Sequence, residues 1–250
     1  MTTLFQAARR APGRGVLSVA WFTASASFLR ALFAVAYRFR VTGADRLPRQ
    51  GGIIVVSNHQ SFLDPVSCGT ATIDRPYTII ARESLFRFRP FGALIGSYGA
   101  VPIERGSGDL GALRTALKQL AMGRSVFMFP EGTRSPDGRT QPLKPGIGLL
   151  VRKAKVPVVP MAVDGNHDLW PRDRKLPKPW GWMECEIGQP IMPEELEAWA
   201  KQGGDVLLEN LRRRIEELRM RCRERLRART GGAFPPPGPA DRPYWQGDAT

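Results

Sequence analysis

Two short polar runs in this 250-residue chain carry the groups able to do chemistry: Asn58-His59-Gln60-Ser61-Phe62-Leu63-Asp64 and Phe129-Pro130-Glu131-Gly132-Thr133-Arg134-Ser135. The first supplies an imidazole with a carboxylate five positions on, a pair suited to taking a proton from a hydroxyl. The second supplies Gly132 for close backbone approach, the Thr133 hydroxyl, and the planar fork of Arg134, which matches phosphate oxygens. Glu131 is odd company for an anion; it suits a hydrogen bond to a substrate hydroxyl or a hold on Arg134. Only His59 and His167 can provide an imidazole base.

In an α-helix a five-residue step turns about 500°, which separates the two side chains, so His59 and Asp64 need a bend between them. The flanking residues provide it. Residues 52–57 read as a buried β-branched strand, and Asp64-Pro65 as a helix start with Asp at the N-cap and Pro at the first helical position. A carboxylate has two oxygens, so capping and holding an imidazole are compatible roles for Asp64. His59 then sits in a strand-to-helix loop at the carboxyl end of a strand, where open α/β sheets place ligands. Residues 125–129 form a second strand feeding the second run, which Pro136-Asp137-Gly138 closes as a turn.

Apolar runs at 52–57, 77–81, 100–104, 125–130, 156–163 and 182–188 alternate with helical stretches near 64–74, 109–122 and 146–154. This alternation predicts an α/β fold, a mixed, largely parallel sheet flanked by helices, with the polar loops gathered at one edge. Four segments follow: 1–40 as a membrane-anchoring segment, 41–202 as the α/β domain, 203–230 as a basic amphipathic helix, and 231–250 as a Pro/Gly-rich tail whose composition does not form a core. Residues 16–37 are long and apolar enough to reach across a bilayer, about 20 residues being required. Arg30 interrupts them and arginines flank both sides, which favours an interfacial or re-entrant anchor over a spanning helix, a cleaved leader or a soluble core helix. The alternating aromatic and basic residues 85–91 suit an interface or a packed turn. The arginines of the C-terminal helix suit either a membrane surface or a solvated face over a packed stripe.

A formal net charge of +14 points to anionic partners such as phosphate headgroups or an acidic leaflet. Nucleic acid would satisfy the charge but not the His59 and Asp64 pairing. With two distant histidines and three scattered cysteines, the chain shows no metal-ligand spacing, and no metal or other cofactor is expected. A serine nucleophile would need a Gly-x-Ser-x-Gly elbow, which Gly106-Ser107-Gly108 does not supply. His167 reads as a loop residue after the late strand, with a place at the cleft rim as the alternative, and Cys68, Cys185 and Cys222 as reduced thiols.

His59 to Asp64 forms a His-x4-Asp motif, and residues 129–135 read Phe-Pro-Glu-Gly-Thr-Arg-Ser. Gly99-Ala100-Val101-Pro102-Ile103-Glu104-Arg105, Lys144-Pro145-Gly146 and the strand Val156-Pro157-Val158-Val159-Pro160-Met161 follow in a fixed order. These blocks, over roughly residues 40–190, resemble the glycerolipid acyltransferases, closest to bacterial 1-acylglycerol-3-phosphate acyltransferase. The resemblance implies a phospholipid-synthesis enzyme in which His59 is the general base on a lysophospholipid hydroxyl and Asp64 fixes its tautomer. The hydroxyl attacks the thioester of acyl-CoA or acyl-carrier protein to give phosphatidic acid, without an acyl-enzyme. Arg105, Glu131, Gly132, Thr133 and Arg134 would bind the acceptor, and Lys144 would face its phosphate or the oxyanion. The expected place is the cytoplasmic face of the cell membrane. The alternatives are another acceptor (glycerol 3-phosphate, another lysophospholipid, lyso-ornithine lipid), a thioester hydrolase, or a non-catalytic protein binding anionic lipid or nucleic acid.

Overall fold

The computed structural model describes residues 12–13, 15–103 and 108–247. Seven strands form one sheet in the order β1-β7-β6-β2-β5-β3-β4, with β1 Arg40–Thr42, β2 Ile53–Ser57, β3 Tyr77–Arg82, β4 Val101–Ile103, β5 Ser125–Met128, β6 Val158–Asp164 and β7 Glu184–Ile187. Every pairing is parallel except β6 with β7. β2 and β6 are buried throughout, as expected of central strands covered on both faces and written in continuous apolar residues.

Two apolar layers sandwich the sheet. On one face α1 (Val16–Ala36) and α2 (Asp64–Ala71) cover Ile53, Val55, Phe127, Met161 and Val163. On the other, α4 (Gly108–Ala121), α5 (Pro145–Ala154), α7 (Pro193–Gln202) and α8 (Gly204–Arg229) cover Ile54, Val56, Val126, Val158 and Ala162. The shorter helices α3 (Arg89–Ser97) and α6 (Asn166–Leu169) complete the chain order. The alternation of in-facing residues along β2 explains both layers: odd-numbered residues meet one, even-numbered the other.

Three features depart from the sequence expectations. β1 and α3 were not foreseen: β1 has three residues and no apolar run, and α3 lies in what read as an aromatic interface segment. Part of the basic face of α8 is turned onto the sheet and its acids, while Arg213 and Arg214 stay exposed. Its Leu207, Leu211, Ile215, Leu218 and Leu226 are buried over β6 and β7, while Arg221 and Arg225 meet Glu186 at 3.1 and 2.7 Å and Arg223 meets Asp164 at 2.8 Å. The Pro/Gly-rich stretch, expected to carry no structure, runs back along α8 through Gly247. Ala240 O accepts from Arg219 (2.8 Å), Asp241 pairs with Arg223 and Arg227, and Arg212 lies 3.4 Å over the Tyr244 ring. Guanidinium groups hold it, and those leave no trace in a hydropathy pattern.

Candidate active site

β2, β5 and β6 all point their carboxyl ends at one edge, and the loop after each brings a polar group to the same place. After β2 the chain turns at Asn58, whose side-chain amide both donates to Val163 O and accepts from Val163 N, at 2.9 Å each. This imitates one more rung of the strand ladder and fixes where His59 leaves the sheet.

His59 Nδ1 lies 2.8 Å from Asp64 Oδ2. A carboxylate accepts only, so the shared proton resides on Nδ1 and Nε2 is left as the basic nitrogen. The ring stacks on Phe129 with centroids 4.0 Å apart and planes 15° from parallel, and its side chain is 18% exposed, so an incoming alcohol can reach an edge of the imidazole. Asp64 is 0% exposed. It does not cap α2. Its Oδ2 turns back to accept from Gln60 N (2.5 Å) and Ser61 N (2.7 Å), and its Oδ1 accepts from Asn166 Nδ2 at 2.8 Å. These donors make the bend that the five-residue spacing demanded.

The loop after β5 wraps over this pair. Glu131 is buried, and neither expected use of it is seen: Oε1 accepts from His59 N at 2.8 Å and Oε2 from Gln141 N at 3.1 Å. Burial pushes its carboxyl up to about 8, against the pull of those two backbone donors. Ser135 N donates to His59 O at 2.6 Å, so the His59 backbone is clamped from both sides.

Arg134 lies 3.5 Å over the Phe62 ring, and its Nη1 is buried with no hydrogen-bond partner among the described residues. Burial lowers its guanidinium below the ordinary range. Gly132 and Thr133 are exposed at the mouth of the loop. Gly132 has φ +73°, and a Cβ there would come within 3.3 Å of the exposed Lys144 side chain, which lies over it at the start of α5. Arg105 lies outside the described residues, just beyond β4. His167 Nε2 lies 3.2 Å from Pro136 O. Among the described residues no cluster of His, Cys, Asp or Glu could hold a metal, and all three cysteines are free and buried.

Sequence reasoning missed Asn166, Phe129 and Gln60. Asn166 is fully buried and gives both amide hydrogens away, to Asp64 and to Ser67 Oγ at 3.1 Å. Its only signal was its position, directly after a buried strand and Gly165. Gln60 Nε2 donates to Gly138 O and to Asp164 at 3.2 Å, which links the base loop to the arginine seam under α8.

A largely parallel sheet with a His-x4-Asp loop and a Glu-Gly-Thr-Arg loop at its carboxyl edge is the arrangement of an acyltransferase. The acyltransferase family model matches residues 38–164, and the chain belongs to that family. Its relatives are narrower in kind. The chain is 26% identical over 194 residues to the 1-acyl-sn-glycerol-3-phosphate acyltransferase of Bacillus subtilis, covering 77% of this chain and 94% of the relative. It is 30% identical over 184 residues to the chloroplast 1-acyl-sn-glycerol-3-phosphate acyltransferase of Brassica napus, covering 72% of this chain but 51% of that one. The chain thus spans about half the length of the plant relative. The crystal structure of the 1-acyl-sn-glycerophosphate acyltransferase of Thermotoga maritima superposes with a TM-score of 0.64 at 28% identity, covering 80% and 79% of the two chains.

Proposed function

We propose that this chain transfers a fatty acyl group from a thioester, acyl-CoA or acyl-carrier protein, to the free hydroxyl of 1-acylglycerol 3-phosphate, forming phosphatidic acid. The observation that carries the reading is the 2.8 Å contact of His59 Nδ1 with buried Asp64, which leaves Nε2 free beside the Arg134 loop. Nε2 takes the hydroxyl proton as the oxygen attacks the thioester carbonyl, and Asp64 stabilises the imidazolium that forms. The thiolate leaves and recovers the proton from Nε2. A positioned base of this kind is worth about 10²–10⁴ in rate.

Arg134 supports a phosphate acceptor, because a buried guanidinium N–H without a partner costs free energy that an anionic oxygen repays. Gly132, Thr133, Lys144 and Arg105 are proposed to complete the acceptor site, and Glu131 to hold the His59 backbone rather than to touch substrate. Purified protein in phospholipid vesicles, given an acyl thioester and a panel of acceptors, should form phosphatidic acid from lysophosphatidic acid and no ester after His59→Ala. Preference for an acceptor lacking phosphate, or free fatty acid released without any acceptor, would overturn the assignment.

The same reading places the protein on the cytoplasmic face of the membrane. Five of the six large exposed apolar residues of α1, Leu17, Trp21, Phe28, Leu32 and Val35, fall within a sector of about 60° on the helical wheel, with Val16 outside it at the first position. The buried Val19, Phe22, Ala26 and Phe33 occupy the opposite side. Arg30 donates to Thr70 O (3.1 Å) and Trp21 to Ser97 Oγ (3.1 Å), so α1 is fastened along its length to the domain. A helix so fastened lies on a bilayer rather than crossing it. Phe88 just before α3 and Phe91 and Leu94 on it are also exposed, beside the amino-terminal half of α1. They extend the same face.

A further inference from the structure

The segment between α6 and β7 is used by nothing described so far. Its ends are joined where Lys178 N donates to Leu169 O at 2.9 Å, and Trp170 Nε1 crosses it to Arg174 O at 2.9 Å, so it forms a compact closed loop. Within residues 171–180 stand Arg172, Arg174, Lys175 and Lys178 against a single acid, Asp173. Leu176 is 74% exposed and Trp180 67% exposed. Large apolar side chains interleaved with cations are what an interface between headgroups and acyl chains accommodates, rings and alkyl groups entering and ammonium or guanidinium groups meeting phosphate.

The attachments of this loop say what it faces. At one end Ser61 Oγ donates to Trp170 O at 2.7 Å, and the Trp170 ring packs 4.9 Å from Phe62, the residue under Arg134. At the other, Tyr37 donates to Lys178 O (3.1 Å) and Gly181 N to Ala36 O (3.2 Å), which sets Trp180 beside the last turn of α1. The loop thus runs from the acceptor site to the end of the exposed α1 stripe.

We propose that residues 171–180 form a second membrane contact, selective for an anionic bilayer surface, which brings the mouth of the acceptor site to the headgroup layer. This rests on the reading that α1 lies along the bilayer. The three native cysteines are buried, so Leu176→Cys in the full chain gives one accessible thiol among the described residues for an environment-sensitive dye. Its emission should shift to the blue on vesicles of phosphatidylcholine with phosphatidylglycerol, and less on phosphatidylcholine alone. Arg174→Gln with Lys175→Gln should weaken binding to the anionic vesicles about fivefold per charge removed and leave binding to neutral vesicles unchanged. Unshifted dye on vesicle-bound protein would overturn the loop contact while α1 stands. Undiminished vesicle binding by Leu17→Ser with Phe28→Ser would instead remove the α1 reading, and the loop proposal with it.

Discussion

Asp64 and Asp164 are both fully buried near the carboxyl edge of the sheet, yet they are satisfied in opposite ways. Asp64 meets two backbone N–H groups, a side-chain amide and the imidazole, none of which carries a permanent charge. Asp164 meets Arg223 at 2.8 Å and Arg219 at 3.6 Å, and Gln60 besides. Burial and the neighbouring carboxylates pull against each other at Arg223, and the carboxylates win, so its guanidinium is raised further above an already high value. The difference separates two uses of a buried carboxylate. One neutralises fixed cations and fastens a helix; the other is hydrogen-bonded only to groups without a permanent charge, and among those partners the imidazole alone can gain one with a proton.

This contrast can be broken from either side. His59→Ala should have the largest effect, a loss of about 10²–10⁴ in turnover, with thermal stability and vesicle binding unchanged. Asp164→Ala should behave oppositely. Arg219 keeps Glu216 and Arg223 keeps Asp168 and Asp241, so losing this buried partner should cost about 1.5–3 kcal/mol of stability, read by denaturant unfolding, and lower activity chiefly through the amount folded.

Smaller changes sharpen the comparison. Arg134→Ala should raise the acceptor KM about tenfold, on the scale of one charge-assisted hydrogen bond, with little change in kcat. Asn166→Ala should lower kcat by a comparable or smaller factor and leave KM alone, while Asn166→Asp, which sets a second carboxylate against Asp64, should also move the pH profile of kcat. A profile unchanged in Asn166→Asp would show that the amide only packs.

Glu131 tests the pH dependence of stability rather than turnover. Its carboxyl titrates near 8 when folded against 4.5 for an ordinary glutamate, so the folded chain retains a proton that the unfolded chain has lost. The stability this group contributes is complete below about 4.5 and disappears as pH rises through about 8. Glu131→Gln should flatten that part of a plot of melting temperature against pH, and an unaltered slope would show that some other group titrates there.

The parts legible in the sequence were those written in short range. Strand runs such as 53–57 and 158–163 declared themselves, and both motif loops fell where a strand had just ended. What could not be read was long-range pairing. Nothing local marks Arg223 as the partner of Asp164, 59 positions away, or Arg219 as the anchor of Ala240, so the arginines of α8 read as a free basic face. Asn166 was hidden for the same reason, its meaning lying 102 positions upstream in Asp64. At Glu131 the residue was singled out but its two backbone partners were not, because residue type cannot tell a carboxylate aimed at ligand from one aimed at a neighbouring backbone. The exposed stripe of α1 was invisible because both its faces are apolar and only packing distinguishes them.

The bond from His59 N to Glu131 has a consequence for anyone exchanging parts between such enzymes. It ties the two loops together, so that the proposed proton acceptor and the proposed anion grip share one joint. A chimaera that imports one loop from a relative without the other inherits a mismatched joint, and altered acceptor choice is better sought by transplanting residues 58–64 and 129–141 as a unit.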